Sequence, residues 1–313
     1  MNHKAELGEF LRSRRARLGP EEAGLRTYGE RRRVPGLRRE ELAQLAGVSA
    51  DYYVRFEQGR TGNVSHEIVE AVAGALRLGG DEREHLHRLV QAAQGASTRR
   101  SPALGSAAQG SAAPADADAY AVPQEVRPGL RRLLESMPHT PAFIAGWRTE
   151  ILAWNPLFAA LVVDPGARPP ADRNKARLVF LDAEVRGRFV NWEAKARDTV
   201  AYLRLAAGRH PGDPAFAALI GELSEGSADF RRLWAEHEVR DKTHGGYHVR
   251  HPELGVFTLA YESFRVADDA DQLLITYTAE AGSPSEAGLR ILAEQTESAG
   301  SERYLTEGVR YRA

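Results

Sequence analysis

The sequence predicts two folds in series: an all-α domain of five short helices, then an α+β domain on a largely antiparallel sheet. Three observations predict this. The stretch Gly95 to Ala119 reads GASTRRSPALGSAAQGSAAPADADA, with Leu104 as its one large apolar residue. Such a segment cannot bury enough surface to offset its ordering entropy, so it reads as a flexible linker. Before it, apolar residues recur at helical spacing without strand-like alternation. After it, strand runs, a block of helical runs and further strand runs follow one another, the order of an α+β domain. A chain of 313 residues also exceeds what one core usually needs. The expected boundaries are 1–94, a linker over 95–120, a second domain over 121–296 and a tail over 297–313.

In the first domain, Leu7, Phe10, Leu11, Arg14 and Leu18 fall close to one face of a helix over about residues 4–18. After a Gly/Arg-rich connection, Arg38 to Ala46 forms a second helix with Leu42, Leu45 and Ala46 apolar. Gly47-Val48 makes a tight turn, and Ser49 caps a third helix that ends at Gly59. Asn63 or Ser65 caps a fourth, with Ile68, Val69, Val72 and Leu76 as its apolar stripe. A fifth starts near Asp81, an acid favoured at a helix start, and turns Leu86, Leu89 and Val90 inward.

In the second domain, Pro128 opens a helix bearing Leu130, Leu133 and Leu134. Ala142–Ala145 and Ile151–Trp154 flank the turn Arg148-Thr149-Glu150 as a hairpin, and Pro156 opens a helix through Leu161. Helices are predicted near 193–208, 214–223, 228–238 and 285–296. Strands are predicted near 246–250, 255–265 and 272–279, with Asp/Gly-rich turns between them.

Hydrophobic content of 42% and charged content of 27% describe an ordinary globular chain. No apolar run approaches a membrane span, and the start MNHKAE lacks an apolar signal core. The absence of cysteine removes disulfides, thiolate metal sites and thiol nucleophiles. A cytoplasmic protein is expected. The net charge of −1 hides an asymmetry: residues 1–60 carry 13 Lys+Arg against 9 Asp+Glu, and residues 101–313 carry 24 against 29. The basic surplus lies where a polyanion would be met.

The run from Arg39 to Arg60 has the mechanics of a helix-turn-helix. Ala43 is small where two helices cross, and Gly47 permits the turn between them. Val48, Tyr53 and Phe56 pack inward, which leaves the other face of the third helix outward. That face offers Ala50, Asp51, Tyr52 and Arg55 to base edges in a major groove, Arg55 being the best candidate for direct readout. Arg38, Arg39, Gln58 and Arg60 stand at the helix ends, placed for phosphates, and Arg31, Arg32 and Arg33 can add phosphate or minor-groove contacts.

These residues resemble the XRE, or λ-repressor-like, helix-turn-helix family. That resemblance implies a structural pair between Glu57 and Arg14. The longer run Arg31 to Leu42, continuing to Tyr52-Tyr53 and Glu57-Gln58-Gly59-Arg60, is similar to the actinobacterial MmyB-like regulators. Trp154-Asn155-Pro156, Trp234-Ala235-Glu236-His237, His251-Pro252-Glu253-Leu254-Gly255 and Tyr277-Thr278-Ala279-Glu280 resemble markers of their PAS-like second domain. The resemblance implies a homodimeric regulator of double-stranded operator DNA that senses an apolar, fatty-acid-like molecule.

Phe143, Trp154, Phe158, Phe189, Trp192, Trp234, Phe257 and Tyr261 are the candidate pocket residues, and Arg188, Arg197 or Arg204 could meet a carboxylate. His244, His248 and His251 with Glu253 form a histidine-rich patch. On a strand His251 points away from the other two, so no metal is expected there, and no cofactor is expected. The alternative reading is an enzyme or carrier of apolar acids with an appended DNA-binding domain. It would need a nucleophile or acid/base set, and no Gly-rich phosphate loop, GxSxG or HExxH stands in the sequence.

Overall fold

The computed structural model describes residues 3–25, 36–98, 124–210, 212–240, 243–267 and 269–310. Residues 95–98, expected as the start of the linker, instead end the fifth helix, because Ala96 extends its run without a breaking proline. The rest of the expected linker lies outside the described residues, as do Arg31, Arg32 and Arg33. The chain divides into two compact units. The first is Met1–Ala121 together with Arg204–Ala218 and Trp234–Asp241, and the second comprises the remaining segments.

The first unit contains α1 (His3–Arg17), α2 (Arg39–Leu45), α3 (Ala50–Glu57), α4 (His66–Ala75) and α5 (Gly80–Thr98), the five expected helices. Their starts follow from local chemistry. The Ser49 hydroxyl accepts from Tyr52 N (3.2 Å) and the Ser65 hydroxyl from Ile68 N (3.4 Å), each satisfying a free amide of a first turn. Gly47 sits at φ 66°, the left-handed region that favours glycine, and so allows α3 to begin soon after α2 ends. Leu7, Phe10, Leu11, Leu42, Tyr53, Phe56, Val72 and Leu86 form one buried cluster, which Leu205 and Val239 complete.

The second unit holds α6 (Pro128–Glu135), α7 (Pro156–Leu161), α8 (Lys175–Leu181), α9 (Ala183–Arg188) and most of α10 (Trp192–Arg209), with parts of α11 (Pro214–Gly226) and α12 (Ala228–Ala235), and then α13 (Pro284–Arg310). Five strands, β1 (Ala142–Ala145), β2 (Ile151–Trp154), β3 (His244–His251), β4 (Gly255–Val266) and β5 (Asp269–Thr278), form one sheet in the order β2-β1-β5-β4-β3. Every pairing is antiparallel. Alternation along each strand sorts its side chains between two faces. Ala142 and Ile144 of β1 and Leu274 of β5 pack with Val126, Leu130 and Leu134 on one face. Phe143, Ile275 and Tyr277 point to the other, toward α8 and α10.

Two differences from the expected elements have local causes. The short helices α8 and α9 were not anticipated, being too short to display helical periodicity. Their caps explain them: Asn174 Oδ1 accepts from Ala176 N and Arg177 N, and Asp182 Oδ1 accepts from Val185 N. The last helix runs to Arg310 instead of stopping near 296. No proline interrupts residues 297–310, and Ala, Glu and Leu among them favour helix. No described helix is long and apolar enough to cross a membrane.

Candidate DNA-reading face and ligand cavity

The third helix presents two faces of opposite character. Tyr53, Phe56 and Glu57 are buried, whereas Asp51, Arg55 and the following Gln58 and Arg60 are exposed, with Ala50 and Tyr52 intermediate. The exposed side is a ridge of small and polar groups one helix wide, a shape that enters a major groove. Among the described residues, Arg55 Nε reaches its own helix, donating to Asp51 O at 3.4 Å. Arg38 is exposed at the start of α2. Its amide donates to Glu41 Oε2 at 2.7 Å, which fixes the helix start.

Glu57 anchors this arrangement from inside. Its carboxylate is 1% exposed, so it needs neutralising partners. They are Arg39, whose Nε and Nη2 both donate to Oε1 at 2.9 and 2.7 Å, and Arg15, whose Nε donates to Oε2 at 3.2 Å. The implied Glu57–Arg14 pair is therefore corrected. One residue along α1 is a rotation of about 100°, and Arg14 turns instead to Glu82 (2.9 Å) and the carbonyl of His237. Arg39 remains half-exposed beside its carboxylate, so the same guanidinium locks α2 to α3 and borders the outward face.

Arg14 belongs to a buried charged cluster in the first unit. Arg204 donates to the carbonyl of Trp234, lies over the Trp234 ring at 4.1 Å and faces Glu6 at 3.8 Å. His85 stands edge-on to Phe10 with ring centroids 5.1 Å apart. Neither of its ring nitrogens has a hydrogen-bond partner among the described residues. Burial, reinforced by Arg204 and Arg14, pushes its pKa down to about 3.

In the second unit, side chains from β1, β3, β4, β5, α8 and α10 enclose a cavity with two compartments. The polar one is lined by Lys175, Lys195, Asp198, Tyr247, Tyr261 and Tyr277, among others. Lys195 is 6% exposed. Its Nζ donates to Tyr277 Oη (3.2 Å) and lies 4.4 Å from the Tyr247 ring centre and 5.0 Å from that of Phe189. Asp198 Oδ2 accepts from Tyr247 Oη (2.7 Å) and Tyr261 Oη (3.3 Å). Lys175 follows the Asn174 cap, its amide held by Thr149 O at 2.8 Å, and its Nζ lies 5.2 Å from the Tyr202 ring centre. Desolvation lowers Lys175 to about 7, helped by the neighbouring Lys195, and lowers Lys195 to about 8. Burial, followed by the nearby Asp198 charge, raises Tyr247.

The apolar compartment continues from the first past the shared Phe143, Lys175, Lys195 and Tyr277, and is walled by Ile151, Phe158, Val162, Leu178 and Phe189. The free space is about 40 Å³ in the polar compartment and about 20 Å³ in the apolar one, room for waters but not for an alkyl chain.

Of the expected pocket residues, Phe143, Phe158, Phe189 and Tyr261 line these compartments. Trp154 lies under Arg173, Trp192 donates to Val179 O (2.8 Å), Phe257 packs beside Gly288, and Trp234 belongs to the first unit. Arg188 and Arg197 pair with Glu184 and Glu193, and Arg204 lies in the buried cluster, so none of the three lines the cavity. The residues missed were Lys175, Lys195, Asp198, Tyr247 and Tyr277. A usable signal did exist: only 4 of the chain's 42 Lys+Arg are lysine, and two of the four meet here. On β3, His244 and His248 are exposed on one face while His251 is on the other, as alternation requires.

A family model described as the MmyB-like transcription regulator ligand binding domain matches residues 126–292, and one for a helix-turn-helix domain matches residues 6–86. No curated protein matches the chain.

Proposed function

Because the chain belongs to the MmyB-like transcription regulator family, with a helix-turn-helix domain ahead of a ligand-binding domain, we propose that it is a cytoplasmic, homodimeric DNA-binding regulator whose effector is an amphipathic acid of fatty-acid type. We read it as a sensor and not as an enzyme, with the sheet and its covering helices as a PAS-like fold. The outward residues Ala50, Asp51, Tyr52 and Arg55 read base edges. Arg38, Arg39, Gln58, Arg60 and the segment Arg31 to Arg33 hold phosphates. A homodimer would present two such helices to half-sites about one helical turn apart.

The observation that carries the effector class is the pair Lys175 and Lys195 at the junction of a polar and an apolar compartment. Two amines face one carboxylate, Asp198, whose Oδ2 already receives two tyrosine hydroxyls. A carboxylate placed between the amines would restore charge balance, and its chain would extend along Phe158 and Phe189. Because the present space is too small for that chain, binding has to push side chains apart. The effector therefore favours an opened conformer over the closed one, which is what a ligand needs in order to shift an equilibrium.

Thermal unfolding with palmitate and with hexadecanol, followed by native mass spectrometry, tests this. The acid should raise Tm in a concentration-dependent way and the alcohol much less. Lys195→Met should erase the difference. Equal shifts for acid and alcohol would reject the headgroup assignment, and no shift with any chain length would reject the effector class.

A further inference from the structure

We propose that His66, Glu70 and His87 form a site for one borderline divalent transition ion, of the zinc class, in the first unit. The site is independent of the ligand cavity. His66 is the first residue of α4 and Glu70 stands four residues on, so both project from one side of that helix. His87 comes from α5. One ligand atom from each of the three lies within 4.8 Å of the other two. His87 Nε2 and Glu70 Oε1 are 2.6 Å apart, and the two imidazoles are stacked, with ring centroids 4.7 Å apart and planes 25° from parallel.

Bonds of about 2.0–2.2 Å to nitrogen and oxygen place neighbouring donors of a tetrahedral ion about 3.3–3.5 Å apart. The Glu70–His87 pair must open slightly to reach that spacing, and His66 must close in. Both movements are rotations of side chains at the surface. His66 is exposed, and Glu70 and His87 are only partly covered. Glu70 is already oriented for the task. Arg83 Nη1 donates to its Oε2 at 2.8 Å while Arg83 Nε donates to Leu78 O at 2.9 Å. One carboxylate oxygen is thus held from behind and the other is turned toward the histidines, the arrangement by which an outer partner aims a metal ligand.

The donor set selects the ion. Two imidazoles with one carboxylate suit zinc, cobalt or nickel, whereas magnesium and calcium prefer oxygen alone. Three protein donors leave a fourth position for water. Occupancy would tie the first turn of α4 to α5, and so stiffen the segment that follows the loop after α3.

Tag-free, chelator-stripped full-length protein titrated calorimetrically with zinc chloride tests the site, with cobalt chloride as a spectroscopic probe. The expected result is one ion per chain, Tm rising with zinc concentration, and the visible bands of four-coordinate cobalt. His66→Ala and Glu70→Gln should each weaken binding about tenfold or more, while His244→Ala on exposed β3 leaves it unchanged. His66 is exposed, so its removal tests ligation without disturbing the core. Undiminished binding of one ion by both variants, or neither heat nor Tm change at millimolar zinc, would overturn the assignment.

Discussion

His85 gives the first unit a built-in acid sensitivity whose size can be worked out. The side chain is fully buried, edge-on to Phe10 and near Arg14 and Arg204, and its pKa is lowered to about 3 from an ordinary 6.5. Because the folded-state value lies below the unfolded one, the unfolded chain takes up the proton first as pH falls. The group's contribution to stability is complete above pH 6.5 and declines from there toward pH 3. At about 1.4 kcal/mol per pH unit, this one residue lowers stability by about 2 kcal/mol at pH 5. Leucine, apolar and similar in volume, has no proton to bind. Urea unfolding of wild type and His85→Leu at pH 7 and pH 5 measures the effect. Other titrations are common to both proteins, so the difference between their two pH losses isolates His85, with the wild type expected to lose about 2 kcal/mol more. Equal losses would show that His85 is not held neutral, and would refute the burial account.

Other expectations concern the DNA-reading face, the cavity and one helix crossing. Arg55→Ala should weaken operator binding by about 1–3 kcal/mol and relax base preference, whereas Arg60→Ala should weaken all duplexes alike and flatten the salt slope by about one; gel-shift titrations over several salt concentrations separate the two. Effector affinity should fall as pH rises past 7 to 8, because the carboxylate needs the protonated forms of Lys175 and Lys195, whose free values are about 7 and 8. Calorimetry at pH 6.5 and 9 should show that loss for palmitate. Gly8→Ala gains about 1 kcal/mol in helix propensity but sets a methyl group 2.4 Å from the backbone oxygen of Glu57. Backbone cannot yield cheaply, so the net should be a loss of about 1–3 kcal/mol, read from the urea midpoint.

What the sequence made legible and what it hid differ by range. The helices of the first unit were readable because each carries its own stripe and cap, as Ser49 and Ser65 illustrate. The outward face of α3 followed from the inward spacing of Tyr53 and Phe56 alone. Partners chosen across helices were harder, since a step of one residue on α1 separates Arg15, which meets Glu57, from Arg14, which does not. The cavity shows the same limit more strongly. Aromatic crowding pointed to Phe143, Phe158 and Phe189, yet the groups that give the space its chemistry converge from separate elements, the charged ones from α8 and α10 and the tyrosine hydroxyls from β3, β4 and β5. Nothing local to Lys175 or Lys195 reveals that they meet. Trp234 misled for a related reason, because its ring is taken up by Arg204 in the first unit.

The make-up of that first unit matters to anyone wishing to graft its DNA-reading end onto another sensor. Leu205 and Val239 lie in the same apolar cluster as Phe10 and Leu86. Arg17 donates to the carbonyl of Glu236 at 2.7 Å, and Gly208 is small where His85 comes close. A transplant severed at the linker would leave these late residues behind and emerge with raw hydrophobic seams. A chimera that keeps 204–218 and 234–241 as native inserts should stay soluble where the shorter graft clumps.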